Sequence, residues 1–350
     1  MTESGLIVSY LRTGEEPEWN AYVERHPLGS PYHLTAWRDA IEQTFGHEAR
    51  YLTARRGGVM VGVLPLFHVR SLLFGSMLVS VAFAVYGGVL ADDEDAARAL
   101  EDAAVGLAES LGVDYLELRD RVDRTDRGGT RKDLYVTFRK PLPGSPEEVL
   151  GQIPRKTRRM VRLGIKAGLV GELGRGARMV DEFYRLFALN LRKLGTPAFP
   201  KTLIQNLLAA FGERADILVV RTPEKRPVAA VLNLYFRDEV LPYYSGATPE
   251  AQPLGGNNFL YYDLMVKSIE RGHRIFDFGR SKADTGPYHF KRHFGFEPEP
   301  LPYRFHLVRA QALPDLNPTN PKYRKAIEAW KRLPLALTTW IGPRIVRGIP

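Results

Sequence analysis

The sequence predicts an α/β protein in which one α+β unit with a mixed sheet occurs twice in tandem, followed by a helical C-terminal segment. Three observations predict it. The same order of elements, a hairpin, a strand, a helix and a strand, occurs twice along the chain. A hydrophobic content of 44% and a charged content of 25% are typical of a folded protein. The 350 residues are enough for two domains with cores of their own.

The first copy of this order starts at Ala49 with "ARYLTARRGGVMVGVLPLFHV", which reads as two strands around an Arg-Arg-Gly-Gly turn. A strand follows that ends at Tyr86, just before a pair of glycines. The amphipathic segment "DEDAARALEDAAVGLAESLG" then predicts a helix that stops at Gly112, where a left-handed C-terminal cap is expected. The apolar strand "DYLELRD" completes the unit.

The second copy starts at Ala215 with "ADILVVRTPEKRPVAAVLNLYF" and repeats the layout around a Thr-Pro-Glu-Lys turn. Its next strand reaches Tyr244 just before Ser-Gly, and "NNFLYYDLMVKSIERG" predicts a helix that ends at Gly272. The strand "RIFDFGR" follows. A match at every step of the order favours an internal duplication over chance.

The connector "KPLPGSPEEVLGQIP", residues 140–154, is rich in proline and glycine and separates the copies. We therefore predict a first domain over 1–145, a second domain over 155–310 and a helical segment over 311–350. That last segment carries two tryptophans among lysines and arginines, so it either packs back on the first domain or rests peripherally on a membrane surface.

Composition narrows the possible chemistry. The absence of cysteine excludes disulfides, thiolate metal sites and a cysteine nucleophile, and it fits a cytoplasmic address. The basic C-terminal segment would place the protein at the inner face of the membrane if it rests on lipid. A net charge of +9 favours anionic partners, such as a phosphorylated carrier or tRNA. The uncharged run from Ser71 to Ala91 is interrupted by glycines, so we predict buried strands there and no transmembrane span.

Several stretches carry a family resemblance, among them "YHLTAWRDAIEQTFGHEARYL", "RRMVRLGIKAGL", "LPYYSGA" and, most specifically, "FDFGRSKADTGPYHFKRHFGFEP". The chain resembles the FemAB family of aminoacyl transferases, which are built from two GNAT-type acyltransferase folds. More narrowly, it is similar to the FemAB-like proteins that accompany exosortase/PEP-CTERM and exopolysaccharide systems.

The resemblance implies two tandem GNAT-like units. It also implies direct transfer of an acyl or aminoacyl group to an amine on a cell-envelope precursor, without a covalent enzyme intermediate. Peptidoglycan-directed members take the amino acid from charged tRNA, but this chain lacks their long coiled-coil arm. The donor therefore stays open between aminoacyl-tRNA and acyl-CoA, and no cofactor is assigned. Two alternatives remain: an acyl-CoA-dependent N-acyltransferase, and a non-catalytic binding module of an exopolysaccharide or protein-sorting assembly.

In the family, the lysine of the Phe-Lys-aromatic segment faces the cleft, and Lys291 occupies that place. There it would stabilise the oxyanion that forms during amide synthesis, whereas the alternative is a solvated lysine on an exposed helix face. Asp277 is the second catalytic candidate. It either accepts a proton from the attacking amine, orients Arg280 or forms a structural ion pair.

Further residues are predicted to bind substrate. Cations on the loop after the last strand and on the basic helix after the connector suit a phosphate or carboxylate group. Tyrosines just before glycines suit contact with a ligand, because glycine permits close approach. Asparagines at the start of a helix either present their amides to a substrate or cap that helix. Surface charge and core packing remain the alternatives. The candidates are Arg280, Lys282, Tyr288, Tyr244, Tyr86, Asn257, Asn258, Arg155 and Arg159.

Acyl-CoA enzymes of this fold hold the diphosphate with a glycine-rich turn at a helix N-terminus. In the second unit "QPLGGN", from Gln252 to Asn257, approaches that pattern, whereas the first unit has "YGGVLADDED", whose acids repel a diphosphate. His289 and His293 have a spacing that can bind zinc, but Lys291 and Arg292 lie between them, so we predict no metal site.

Overall fold

The computed structural model describes residues 5–71, 74–313 and 324–349. The strands are β1 Leu6–Tyr10, β2 Glu48–Ala49, β3 Leu52–Arg56, β4 Val59–Leu64, β5 Phe67–Ser71, β6 Gly75–Val79, β7 Leu90–Ala91, β8 Tyr115–Leu118, β9 Thr130–Lys132, β10 Tyr135–Pro141, β11 Val170–Gly174, β12 Ala215–Arg221, β13 Pro227–Phe236, β14 Glu239–Ala247, β15 Ile275–Asp277, β16 Ser281–Lys282, β17 Pro298–Pro300 and β18 Tyr303–Leu307. The α-helices are α1 Glu16–Arg25, α2 Thr35–Phe45, α3 Glu94–Ser110, α4 Val149–Gln152, α5 Arg155–Lys166, α6 Ala177–Leu194, α7 Lys201–Phe211, α8 Gly256–Glu270, α9 Gly286–His293, α10 Arg324–Arg332 and α11 Leu335–Val346.

The chain divides into two compact units. The first is formed by Met1–Leu134, Leu301–Leu316 and Val346–Pro350, and the second by Tyr135–Pro300 and Asn317–Ile345.

The first unit contains two sheets. One has the strand order β1-β3-β4-β7, and the other has the order β2-β5-β6-β8-β18-β9, in which β6 and β8 run parallel. Helix α3 packs on this unit's core with a face of small residues and Leu100, spaced about one helical turn apart. Asp93 caps the helix by accepting a hydrogen bond from the backbone N–H of Ala96.

The second unit contains a sheet with the order β11-β12-β13-β14-β15-β10-β16, and β17 pairs with β10. Strands β14 and β15 run parallel, but they pair only at Glu239–Ile275 and Val240–Phe276. Helix α5 packs closely on α8 because glycine occupies the contacts. A Cβ at Gly164 would lie 2.7 Å from the Cβ of Phe259.

The predicted duplication is confirmed in both units. The second unit has the order β12, β13, β14, α8 and β15. The first unit repeats it with two strands divided, as β3, β4 with β5, β6 with β7, α3 and β8, and each copy has a parallel pair around its helix. The two helices are followed by Gly112 with φ +56° and Gly272 with φ +87°, the left-handed caps that the sequence predicts.

Two strands pair with strands that are far away along the sequence. β10 pairs with β15 and β16 of the second unit, although the sequence analysis placed residues 135–141 in the first domain. β18 pairs with β8 and β9 of the first unit, although the sequence analysis placed residues 303–307 in the second domain.

The C-terminal segment is helical where it is described. Helix α10 lies against the end of α6, where a Cβ on Gly195 would come within 2.4 Å of Ile327. In the division of the chain, residues 317–345 group with the second unit and 346–350 with the first. The predicted segment over 311–350 includes residues 314–323, which lie outside the described residues.

The uncharged run from Ser71 to Ala91 contributes β6 and β7, joined by a buried segment, as predicted; residues 72–73 lie outside the described residues. Over the ranges that the structure describes, no helix combines the length and the apolar character that crossing a bilayer requires.

Candidate active site

The sheet of the second unit opens between β14 and β15, because the two strands stop pairing after Val240 and Phe276. Tyr261 of α8 lies across this opening. Its hydroxyl donates to the Oγ of Ser245 on β14 at 3.0 Å, and its ring packs at 4.9 Å on that of Phe278, directly after β15. Burial raises the pKa of Tyr261, so its hydroxyl keeps its proton.

A tight turn follows β15. Asp277 is 1% exposed, and its Oδ1 accepts hydrogen bonds from the backbone N–H of Gly279 at 2.7 Å and from the hydroxyl of Thr137 at 3.4 Å. Gly279 has φ +65°, a conformation that favours glycine. The sequence Asp-Phe-Gly-Arg thereby forms a side-chain-closed turn that holds the carbonyls of Gly279 and Arg280 in place.

Lys291 reaches these two carbonyls from α9. Its Nζ donates to the oxygen of Gly279 at 2.8 Å and to that of Arg280 at 3.1 Å. Helix α9 is anchored by Phe290 and Phe294, whose rings pack against Tyr261 at 5.5 and 6.2 Å. The lysine is 8% exposed, so it is not a solvated surface residue.

Burial lowers the pKa of Lys291 from its ordinary value to about 7. The carboxylate of Asp277 opposes this shift, whereas the guanidinium of Arg280 adds to it. A lysine of this kind changes its charge near neutral pH, which is a frequent property of residues that transfer protons or stabilise charge in catalysis.

Three of the predicted binding residues gather around the same turn through β10. The guanidinium of Arg280 lies 4.4 Å from the ring centre of Tyr135. Lys282 pairs with Tyr135 in the sheet, and the ring of Tyr288 packs edge-on against Phe138 at 5.4 Å. Arg280, Lys282 and Tyr288 therefore lie close to Lys291 and Asp277.

The other two predicted tyrosines have different surroundings. Tyr244 of β14 packs on Phe187 at 5.2 Å and on Phe199 at 5.1 Å, and its hydroxyl accepts a hydrogen bond from Tyr243. Tyr86 is 1% exposed and belongs to the first unit, where its ring lies 4.7 Å below the guanidinium of Arg121.

The predicted asparagines lie in the first turn of α8. The cap position is Gly255, with φ +67° and no side-chain hydrogen bond, so neither Asn257 nor Asn258 caps the helix. The first turn also lacks acidic residues. Its backbone N–H groups are therefore not occupied by a side chain of this helix, unlike those of α3, where Asp93 fills that role.

Arg155 and Arg159 are exposed on α5, together with Arg162 and Lys166. Among the described residues these four form no ion pair. The buried Thr157 of the same helix donates to the backbone oxygen of His293 at 2.6 Å. The basic helix is thus attached directly to the end of α9, which carries Lys291.

Tyr261, Thr137 and Phe138 are site residues that the sequence analysis missed. Phe138 lies 5.5 Å from the Nζ of Lys291. Tyr261 could have been found as an inward position of the predicted helix α8, but β10 comes from a part of the chain that no local pattern connects with Lys291. No group of three or more potential metal-ligating side chains occurs in the described ranges.

Comparisons with known proteins bear on the fold. A family model described as an acetyltransferase (GNAT) domain matches residues 151–292. The solved structure of FemX has a TM-score of 0.68 and 16% identity, over 92% of this chain and 100% of its own. A tandem GNAT protein from the clavulanic acid biosynthesis pathway has a TM-score of 0.54 and 12% identity, over 89% of this chain and 100% of its own. The chain has a tandem GNAT fold.

L-PGS from Bacillus licheniformis is another similar structure, with a TM-score of 0.58 and 16% identity over 93% of this chain and 100% of its own. No curated protein sequence matches the chain. At these identities the structures establish the GNAT-like fold of both units.

Proposed function

We propose that this protein transfers an acyl or aminoacyl group from an activated donor directly to an amine and so forms an amide. One observation carries the proposal. Lys291 is buried beside the opening in the sheet of the second unit, has a pKa of about 7 and is held by two backbone carbonyls. An ammonium group has three N–H bonds, so one remains for a ligand.

The chemistry follows from that third N–H. The amine nitrogen attacks the carbonyl carbon of the donor, and the electron pair of the C=O bond moves to its oxygen. Lys291 donates a hydrogen bond to this oxyanion, an interaction worth about 3 kcal/mol when it is pre-formed. When the intermediate collapses, the bond to the donor's thiol or hydroxyl breaks, and the proton lost by the amine ends on that leaving group.

Asp277 positions this arrangement. Its carboxylate holds the N–H of Gly279 and thereby the two carbonyls that orient Lys291. Its charge also favours the protonated form of Lys291, the form that stabilises an oxyanion. Both effects support a positioning role more than the abstraction of a proton from the amine.

The donor contains phosphate groups in this proposal. The exposed cations of α5, Arg155 and Arg159 among them, and the uncapped start of α8 provide positive potential on the second unit. Aminoacyl-tRNA and acyl-CoA both fit that chemistry. The left-handed Gly255 before α8 is the observation that favours acyl-CoA as the second candidate.

The acceptor would be an amine on a cell-envelope or exopolysaccharide-related precursor. Arg280, Lys282 and Tyr288 would bind its anionic and ring-shaped parts, and Tyr244, Asn257 and Asn258 would line the other side of the opening. The stretch "FDFGRSKADTGPYHFKRHFGFEP" supports the FemAB-like group associated with exosortase/PEP-CTERM systems, working in the cytoplasm at the inner face of the membrane.

A transfer assay tests the proposal. The purified protein would first be analysed by native mass spectrometry for co-purified donors, and then incubated with aminoacyl-tRNA or with short- and long-chain acyl-CoA and amine acceptors. We expect an amide product that Lys291→Met reduces by about a hundredfold or more, while Lys291→Arg keeps part of the rate. Lys193→Met, a change at an exposed lysine of α6, is the matched control.

The outcomes separate the alternatives. Thermal stabilisation by CoA but not by tRNA would select the acyl-CoA-dependent N-acyltransferase. A rate of amide formation in the Lys291→Met variant equal to that of the unchanged protein would contradict the oxyanion role. If no donor is turned over and Lys291→Met preserves the cellular phenotype, while changing Arg155 and Arg159 to glutamate abolishes it, the protein is the non-catalytic binding module.

A further inference from the structure

We propose that the outer face of α10 and α11 is a docking surface for an anionic lipid bilayer, which holds the second unit at the membrane surface. This surface is formed by Leu337, Trp340 and Arg344 of α11 with Lys325 and Arg332 of α10. The inference goes beyond the proposed transfer, because none of these residues belongs to the Lys291 site.

The apolar part of this surface is exposed. Trp340 is 63% exposed and Leu337 is 37% exposed. They are three residues apart on α11, so they lie on one side of the helix, and Arg344 follows four residues later. An exposed tryptophan beside an exposed leucine keeps apolar area in water, which an interface with lipid removes.

The opposite face of α11 already anchors the helix to the protein. Thr338 is 2% exposed, and a Cβ at Gly342 would lie 2.9 Å from the backbone oxygen of Ala198. At the end of α10, the guanidinium of Arg192 donates to the backbone oxygen of Leu333 at 3.3 Å. The helices are therefore held by one face, and Trp340 is presented on the other.

The charges select the partner. From Lys325 to Ile345 the chain has Lys325, Lys331, Arg332 and Arg344 but a single acid, Glu328, which pairs with Lys331 at 2.7 Å. The guanidinium of Arg344 lies 4.5 Å from the ring centre of Trp340, so cation and indole are presented together. Aromatic and basic side chains side by side match the level of anionic lipid headgroups.

A second copy of the chain fits this surface less well. In a two-fold interface the same patch meets itself, which would bring the basic residues of the two copies together. Helices of nine and twelve residues are also too short to cross a bilayer, so a peripheral contact in the plane of the membrane is the arrangement that suits them.

Vesicle binding tests the proposal with the full chain. We expect the protein to sediment with phosphatidylcholine vesicles that contain phosphatidylglycerol, but not with phosphatidylcholine alone, and to lose binding at high salt. The tryptophan emission should shift to shorter wavelength on binding, because Trp340 enters the interface whereas Trp19 and Trp37 are fully buried.

Variants locate the contact. The double change Leu337→Ala/Trp340→Ala should weaken binding at least about tenfold and abolish the emission shift. Arg332→Gln and Arg344→Gln should each weaken it by about fivefold. Val170→Ala, at a residue that is 63% exposed on β11 of the same unit, should leave it unchanged. Amide formation in solution should be equal in all variants, so a failure here is distinct from a failure of the proposed transfer.

Three results would overturn the inference. One is equal binding to vesicles with and without phosphatidylglycerol. Another is vesicle binding that survives the double change but is lost when Arg155 and Arg159 become glutamine, which would assign the contact to α5. The third is a concentration-dependent dimer in analytical ultracentrifugation that disappears in the double variant, which would make a second copy the occupant.

Discussion

The two units share one order of elements, but they differ after the strand that follows the helix. In the first unit, the two charged residues directly after β8, Arg119 and Asp120, form ion pairs. The guanidinium of Arg304 contacts Glu101 and Asp120, each at 2.9 Å, and Arg119 contacts Glu117 at 2.9 Å. In the second unit, no carboxylate of the described residues accepts a hydrogen bond from Lys291 at the corresponding turn. The hydrogen-bond acceptors of its Nζ are the backbone oxygens of Gly279 and Arg280.

The strand before the helix differs as well. β14 continues unbroken to Ala247, whereas β6 and β7 are separated by a buried segment with left-handed Val81 and Phe83. Arg119 holds that segment by donating to the backbone oxygens of Val81 and Ala84. The first copy therefore uses these charges for structure, whereas the Nζ of Lys291 in the second copy donates to two backbone carbonyls, and the proposed function assigns its third N–H to a ligand.

The largest effect is expected in the first unit. Arg304→Met should lower the free energy of unfolding by about 3–5 kcal/mol, because Glu101 and Asp120 would lose the buried guanidinium that contacts both of them. Burial already raises the pKa of both carboxyls. Denaturant unfolding measures the change, with Arg226→Met as the control at an exposed ion pair, where we expect less than about 1 kcal/mol. A small loss at Arg304 would remove the contrast between the units.

Lys291→Met should instead raise the free energy of unfolding. The pKa of Lys291 falls from 10.5 in the unfolded chain to about 7 in the folded one, so below pH 7 the fold carries the full cost of a buried cation. That cost disappears as the pH rises from about 7 to 10.5. Methionine should therefore stabilise the protein by on the order of 3 kcal/mol at and below pH 7.

The measurement is the stability of both proteins across this pH range. The gain from methionine should shrink steadily between pH 7 and pH 10.5 and vanish above that range, where the lysine is neutral in both states. A gain that does not depend on pH would show that Lys291 is not titrating in the folded protein near neutrality.

Gly255→Ala should cost about 2 kcal/mol. Its φ of +67° disfavours alanine, and the added Cβ would lie 2.3 Å from the backbone oxygen of Met160 on α5. Gly272→Ala, at φ +87° with nothing within 4 Å, isolates the conformational part and should cost about 1 kcal/mol. Equal losses in thermal unfolding would mean that α5 does not restrict the start of α8.

The smallest expected difference in the free energy of unfolding is between variants at the starts of α3 and α8. Asp93→Ala removes a side-chain cap from α3 and should cost about 1 kcal/mol. Asn257→Ala should be nearly neutral, because Asn257 does not cap α8. A loss of similar size in both variants, measured by chemical unfolding, would contradict the view that the start of α8, unlike that of α3, has no side-chain cap.

Local patterns along the sequence determined the elements, their order and the duplication, because hydrophobic periodicity and helix-ending glycines such as Gly112 and Gly272 act over a few residues. Lys291 became a candidate through the family resemblance, which implied that it faces the cleft. Only the tertiary structure decided that β10 enters the second sheet, that Tyr261 lies across its opening and that Lys291 is buried on two carbonyls. These depend on pairing between residues more than a hundred positions apart and on the removal of water from a side chain, and neither leaves a local signal in the sequence.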